Sequence, residues 1–305
     1  MPLECPAGYY CSNGTTFATQ HACPVGTFNN FTHRTSLSQC VPCRPGYYCE
    51  SEGLTEPTGL CTGGYFCGGG SSVSTPHESD MFHVSYVGET CVSVNMSNLN
   101  DICPPGHYCP EGSPSPVQCP PGTNTSSIGL VSVGQCQSCV KGYYCPNNGT
   151  VHATRLCLAG YYCPSGTSNP ADFAELSCPT GHYCPEGSDV PIACESGSYQ
   201  DERGKSECKL CPEGYYCERN TTTPMDCPAG YYCPSQTDFA TQYPCPNGTY
   251  SNSTLLTSVG ECDECTPGYY CGYEALTEPT GLCTGGYFCG GGSSVSTPTR
   301  ATCSM

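Results

Sequence analysis

The sequence predicts a small, disulfide-rich fold, mostly irregular with short β-hairpins: an elongated tandem-repeat rod without a large hydrophobic core. Three observations predict it. Thirty-two of the 305 residues are cysteine, above the level at which a chain reads as a disulfide scaffold. With no Trp, eight Phe, 37 Gly and 29 Pro, the chain lacks the material for a central core, and cross-links must substitute for apolar burial. Finally, the stretch Cys5-Pro-Ala-Gly-Tyr-Tyr-Cys11 keeps returning. Close copies run from Cys43 to Cys49, Cys61 to Cys67, Cys103 to Cys109, Cys139 to Cys145 and Cys157 to Cys163. Others run from Cys178 to Cys184, Cys211 to Cys217, Cys227 to Cys233, Cys265 to Cys271 and Cys283 to Cys289.

Repeats set the organisation. A shift of 222 residues superposes 1–76 on 223–298 with every cysteine in register, and 54–76 is identical to 276–298. Inside that long repeat lies a six-cysteine module. Taken in order, the chain divides into the tail of a truncated module (1–22), a six-cysteine module (23–76), and a β-hairpin insert plus a Cys loop (77–118). A module with its spacer (119–177), a Cys loop with a module (178–244) and a last module (245–305) follow. Each module opens with Cys-Pro-x-Gly-Thr-aromatic or a near relative, as in Cys23-Pro-Val-Gly-Thr-Phe. Pro and Gly set a turn and the Thr-aromatic pair favours a strand, so a short hairpin is expected between Cys23 and Cys40. In the insert, Phe82, Val84 and Tyr86 alternate with His83 and Ser85, and Val92, Val94 and Met96 with Ser93 and Asn95. That pattern predicts a hairpin turning at Val87-Gly88-Glu89-Thr90, with Cys91, Ser93 and Asn95 on its polar face. No stretch shows helical periodicity.

The combination Cys-Pro-x-Gly-Thr-aromatic followed by Cys-x-x-Cys-x-x-Gly-Tyr-Tyr-Cys resembles the GCC2/GCC3 and ephrin-receptor-like cysteine-rich repeats, distant relatives of tumour-necrosis-factor-receptor and EGF-like modules. The resemblance covers the chain apart from about residues 77–100. It implies stalks, spacers, ligand-binding ectodomains or parts of large surface proteins of protists and animals.

Parity narrows the pairing of the cysteines without fixing it. If each C-x5-C loop closes on itself and each module's first two cysteines pair (Cys23–Cys40, Cys119–Cys136, Cys194–Cys208, Cys245–Cys262), only Cys91 and Cys303 remain. These two are then unassigned or interchain. The alternative is the crossed arrangement of receptor-type modules, Cys43 with Cys61 and Cys49 with Cys67 and their equivalents. Local closure is geometrically open, because Pro and Gly can reverse the chain within each loop.

Such cysteine density requires an oxidising compartment, so a secreted or cell-surface location is expected. Sequons at Asn13, Asn30, Asn95, Asn124, Asn148, Asn220, Asn247 and Asn252 make N-linked glycans expected attachments. The net charge of −17, with nine Lys and Arg in total, argues against nucleic acid as a partner. No apolar run reaches the length of a membrane span, so no direct membrane insertion is expected. Residues 1–4 do not make a signal peptide, and we expect the sequence to belong to a longer precursor.

The Cys-x2-Cys pairs have zinc-knuckle or thioredoxin spacing, but in this setting they read as structural disulfides, and no metal or cofactor is expected. His107 and His182 fill slots that hold Tyr in other loops. Asp80, Glu89 and Asp101 flank the predicted hairpin without calcium-loop spacing. No paired carboxylates or activated nucleophile stand out, so the expectation is a protein that is not an enzyme. Gly68-Gly69-Gly70 and Gly290-Gly291-Gly292 read as flexible joints or places where another chain approaches closely. The Tyr pairs either cover the disulfides and the next module or line one side of the rod for lateral assembly. The function expected is an extracellular structural protein that forms or decorates a filament, flagellar hair or coat. Its partners would be copies of itself or other surface proteins. A receptor or adhesion ectodomain is the alternative.

Overall fold

A computed structural model of the chain describes residues 3–77, 84–87, 90–93 and 100–298. The fold is small, disulfide-rich and mostly irregular. Its strands form two-stranded antiparallel sheets, and among the described residues the helical segments are three-residue 3₁₀ turns.

The unit that repeats is shorter than a six-cysteine module. It begins with a Cys-x-x-Gly, at Cys5, Cys23, Cys43, Cys61, Cys103, Cys119, Cys139, Cys157, Cys178, Cys194, Cys211, Cys227, Cys245, Cys265 and Cys283. We call each a rung. In every rung the glycine three residues on has a positive φ, from 74° at Gly181 to 93° at Gly286, where a residue with a Cβ is strained. The reversal is closed by a bond such as Tyr215 N–H to Pro212 O at 3.3 Å. The chain leaves it as a two-residue strand that pairs with the return strand ahead of the next rung. Thus Tyr47–Tyr48 pairs with Gly59–Leu60, and Tyr215–Tyr216 with Met225–Asp226.

Backbone hydrogen bonds join each rung to the next in one fixed set of four. Between the rungs at Cys211 and Cys227, Cys227 N–H donates to Gly214 O at 2.9 Å and Gly214 N–H to Cys233 O at 2.8 Å. Cys217 N–H donates to Thr237 O at 3.0 Å, and Gln236 N–H returns to Cys211 O at 2.9 Å. The set recurs at every junction within each of two compact units. One unit comprises Met1–Arg155 with Ser165–Asn169, the other Leu156–Pro164 with Pro170–Met305. Buried backbone groups must be paired, and with hairpins this short the ladder supplies the partners. It also bridges the insert: Cys103 N–H donates to Gly64 O and Gly64 N–H to Cys109 O, both at 2.8 Å.

The first eight disulfides along the chain are Cys5–Cys11, Cys23–Cys40, Cys43–Cys49, Cys61–Cys67, Cys103–Cys109, Cys119–Cys136, Cys139–Cys145 and Cys157–Cys163. Cys178–Cys184, Cys194–Cys208, Cys211–Cys217, Cys227–Cys233, Cys245–Cys262, Cys265–Cys271 and Cys283–Cys289 complete the set. Each closes within its rung, so the members of every Cys-x2-Cys pair belong to different bonds. Cystine is the interior: Cys23, Cys49, Cys61, Cys103 and Cys217 are 0% exposed, and the apolar clusters are small. One gathers Phe66, Cys103 and Cys109, the other Cys245, Leu256 and Cys262 against Tyr232.

One local expectation is corrected. Thr27–Phe28 does not pair inside the Cys23–Cys40 loop but with Val41–Pro42 just beyond it, Thr27 opposite Pro42. The loop instead ends in a 3₁₀ turn, Leu37–Gln39, whose Gln39 Oε1 accepts from Thr35 N–H at 2.7 Å. The ladder bond from Cys43 N–H to Gly26 O at 2.8 Å requires the return strand to lie directly before Cys43. In the insert, Val84–Val87 pairs antiparallel with Thr90–Ser93, Val87 opposite Thr90. The side-chain faces expected for Cys91, Ser93 and Asn95 lie outside the described residues, as does Cys303.

Candidate functional site

The ladder creates two recurrent features, one internal and one on the surface. Internally, the residue whose N–H returns to the preceding rung always adopts a left-handed backbone. Glycine fills most of these positions, Gly53, Gly112 and Gly204 among them, but His33, Asn220, Gln236, Leu255 and Ala275 hold φ of 61–68° there. The carbonyl of this residue presses on the glycine of the rung two places earlier. A Cβ on Gly46 would stand 2.5 Å from Gly112 O, and one on Gly160 would overlap Gly204 O. Gly70 and Gly292, from the two Gly triplets, occupy the same slot, with bonds to Cys43 O at 2.8 Å and Cys265 O at 3.0 Å. They are fixed positions in this chain's own ladder, so the reading of those triplets as flexible joints is corrected.

Four buried polar residues were not singled out from sequence. In the rungs whose cysteine bonds far ahead, the place of the second cysteine is taken by Asn29, Thr125, Gln200 and Ser251, exposed by 0%, 1%, 2% and 1%. Each brings its own hydrogen bonds. Gln200 Nε2 donates to Glu207 O at 2.7 Å while its Oε1 accepts from Glu202 N–H at 3.1 Å. Asn29 Oδ1 accepts from Phe31 N–H at 3.1 Å. The signal was available: each stands six residues after a Cys-x-x-Gly opening.

On the surface, most of the paired tyrosines are half-buried, while Tyr269 and Tyr287 are exposed. Tyr9 lies over Gly53, and Tyr48 over Gly59 of its own hairpin. Tyr10 stacks on His21 at 5.2 Å, Tyr232 on Tyr243 at 5.6 Å, and the Arg44 guanidinium sits 4.7 Å over Tyr47. His107 and His182 occupy the first aromatic slot of their hairpins, their Nδ1 atoms near Pro105 O and Thr180 O. One charged cluster stands out: Lys209 Nζ reaches Asp201 at 2.6 Å and Glu202 at 2.7 Å, and Lys205 reaches Glu202 at 2.9 Å. Hydrogen bonds from Lys205 and then Lys209 bring the Glu202 carboxyl down to about 2, and those two acids hold Lys209 above its usual range.

Among the expected modification sites, Asn13, Asn30, Asn148, Asn220, Asn247 and Asn252 are exposed. Asn124 is half-buried; its Nδ2 donates to Val151 O at 3.4 Å and its Oδ1 is buried with no partner among the described residues. Asn95 lies outside the described residues, as do Asp80 and Glu89. Asp101 pairs with Phe66 across a short sheet, and its Oδ1 accepts from Ile102 N–H at 2.7 Å. No group of three His, Cys, Asp or Glu able to hold a metal occurs among the described residues, and no helix there is long and apolar enough to cross a membrane.

Comparison with protein-family models finds no match, and comparison with curated proteins finds none either. The disulfide ladder itself defines the class: an extracellular cysteine-rich protein, because cross-linking at this density requires an oxidising compartment.

Proposed function

We propose that the chain is a non-enzymatic structural protein that forms or decorates a cell-surface filament, flagellar hair or coat, in the manner of the GCC2/GCC3 and ephrin-receptor-like repeats. One observation carries this reading: the repeating unit is a single cystine rung whose backbone bonds to its neighbours, so the fold extends by adding copies rather than by enlarging an interior. Identity of 54–76 with 276–298 repeats one sequence at a 222-residue interval, which suits periodic assembly. Half-buried and exposed tyrosines offer lateral contacts, since Tyr is enriched at interfaces. Glycans at the exposed sequons would supply solubility to a chain only 11% charged. Electron microscopy of the native protein tests the reading, with filaments or ordered coats expected. Dispersed monomers in the native material would overturn it. Tyr9→Ser, Tyr47→Ser and Tyr269→Ser combined should weaken lateral association while leaving the rungs folded.

A further inference from the structure

The disulfides fall into two kinds, separated by what their cysteines do in the ladder. In a C-x5-C loop both cysteines belong to it. Cys211 O accepts from Gln236 N–H, while Cys217 donates to Thr237 O and accepts from Gly197 N–H at 2.8 Å. From Cys43–Cys49 to Cys265–Cys271, every half-cystine of these loops is at most 1% exposed.

Cys119–Cys136 and Cys194–Cys208 are built differently, because only the first cysteine of each is in the ladder. Cys194 N–H donates to Gly181 O at 2.9 Å and Cys194 O accepts from Asn220 N–H at 2.8 Å. The groups a second cysteine would supply come from Gln200, whose O accepts from Gly181 N–H at 2.7 Å and whose N–H donates to Thr221 O at 3.1 Å. Thr125 does the same in the rung at Cys119, with Gly106 N–H at 2.9 Å and Thr150 O at 3.1 Å. Cys136 N–H closes only its own 3₁₀ turn, on Val133 O at 3.0 Å. Each of these bonds is thus a strap from a ladder cysteine to the end of a surface loop. Its outer member, Cys136 or Cys208, is partly exposed, whereas Cys119 and Cys194 are 0% exposed. Cys245–Cys262 is a strap with its outer end covered: Cys262 is 8% exposed and clusters with Leu256 against Tyr232.

We propose that Cys119–Cys136 and Cys194–Cys208 are sites of thiol–disulfide exchange, where the chain takes up a thiol covalently while its ladder stays closed. A thiolate arriving from solvent meets the outer sulfur, forms a new S–S bond to Cys136 or Cys208, and expels Cys119 or Cys194 as thiolate, which takes a proton from solvent. One disulfide breaks and one forms, so the step needs no oxidant. Access selects these two bonds, since exchange requires the nucleophile to reach a sulfur. The thiol is either a small one such as glutathione or a cysteine of another chain.

The test treats the oxidised 305-residue chain, without denaturant, with increasing reduced glutathione, traps free thiols with N-ethylmaleimide and maps both by mass spectrometry. Glutathione should appear on Cys136 and Cys208, and N-ethylmaleimide on Cys119 and Cys194. This should happen at about tenfold lower glutathione than opens the C-x5-C loops between Cys43 and Cys271, with Cys245–Cys262 reacting later than both straps. Glutathione on Cys119 or Cys194, C-x5-C loops opening first or alongside, or no adduct at all would overturn the proposal. A Cys194→Ser/Cys208→Ser chain separates the strap from the fold: its Gly181 and Gln200 amides should exchange as slowly as in wild type. Lost protection there would overturn the proposal too, because the strap would then be holding the rung. Interchain cross-links through Cys136 or Cys208 in concentrated chain without glutathione would identify the thiol as a cysteine of another copy. Adducts that form only with glutathione would identify it as a small molecule.

Discussion

At the scale of single residues, what decides the fold is where a Cβ is forbidden. Gly160 and Gly14 both have left-handed φ, 85° and 89°, but a Cβ on Gly160 would overlap the Gly204 carbonyl while Gly14 faces open space. Gly14→Ala should therefore cost about 1 kcal/mol in backbone strain, and Gly160→Ala at least about 3 kcal/mol, measured by denaturant unfolding with disulfides intact. Equal costs would mean that the close approach is not tight. The acidic cluster adds a pH dependence. A carboxyl held at about 2, against an ordinary 4.5, contributes stability above its unfolded value and loses it as pH falls from about 4.5 towards about 2. The cluster is exposed and salt-screened, so the effect on stability is small. The NMR titration of Glu202 should nonetheless be displaced to low pH and return towards the ordinary value in Lys205→Met/Lys209→Met.

At the scale of the element, a rung can close with its own cystine or with a polar substitute. Gln200 stands where a second cysteine would, bonded to Glu207 O and Glu202 N–H. Gln200→Ala would leave buried groups unsatisfied and should cost about 1–3 kcal/mol in the same unfolding measurement. The C-x5-C loops were legible in the sequence because two cysteines, a glycine and an aromatic pair mark each one. The equivalence of Asn29 to Cys11 was not. Asn29 does by hydrogen bonding what cystine does covalently, and nothing in its chemical type announces that. For the same reason a six-cysteine module was the natural reading, although Cys23-Pro-Val-Gly and Cys5-Pro-Ala-Gly open the same structural unit. Leu255 and Ala275 in left-handed positions were likewise hidden, since neither residue prefers that backbone.

At the scale of the whole molecule, stability is a sum over neighbouring rungs rather than the property of one core. The even parity of the C-x5-C loops and the 222-residue repeat were readable without coordinates. The ladder was not, because backbone bonds leave little trace in side-chain pattern; only the recurring glycine hints at them. The insert shows how well the ladder tolerates interruption. Forty-one residues lie between Cys61 and Cys103, yet the four bonds across that gap match those elsewhere. Amide hydrogen exchange on the dilute, oxidised chain tests the ladder most directly. The account predicts slow exchange at the first cysteine and the glycine that face each other across every junction within the two units, Cys43 and Gly46 or Cys227 and Gly230 alike. Protection confined to isolated six-cysteine blocks, with fast exchange at the amides between them, would contradict it.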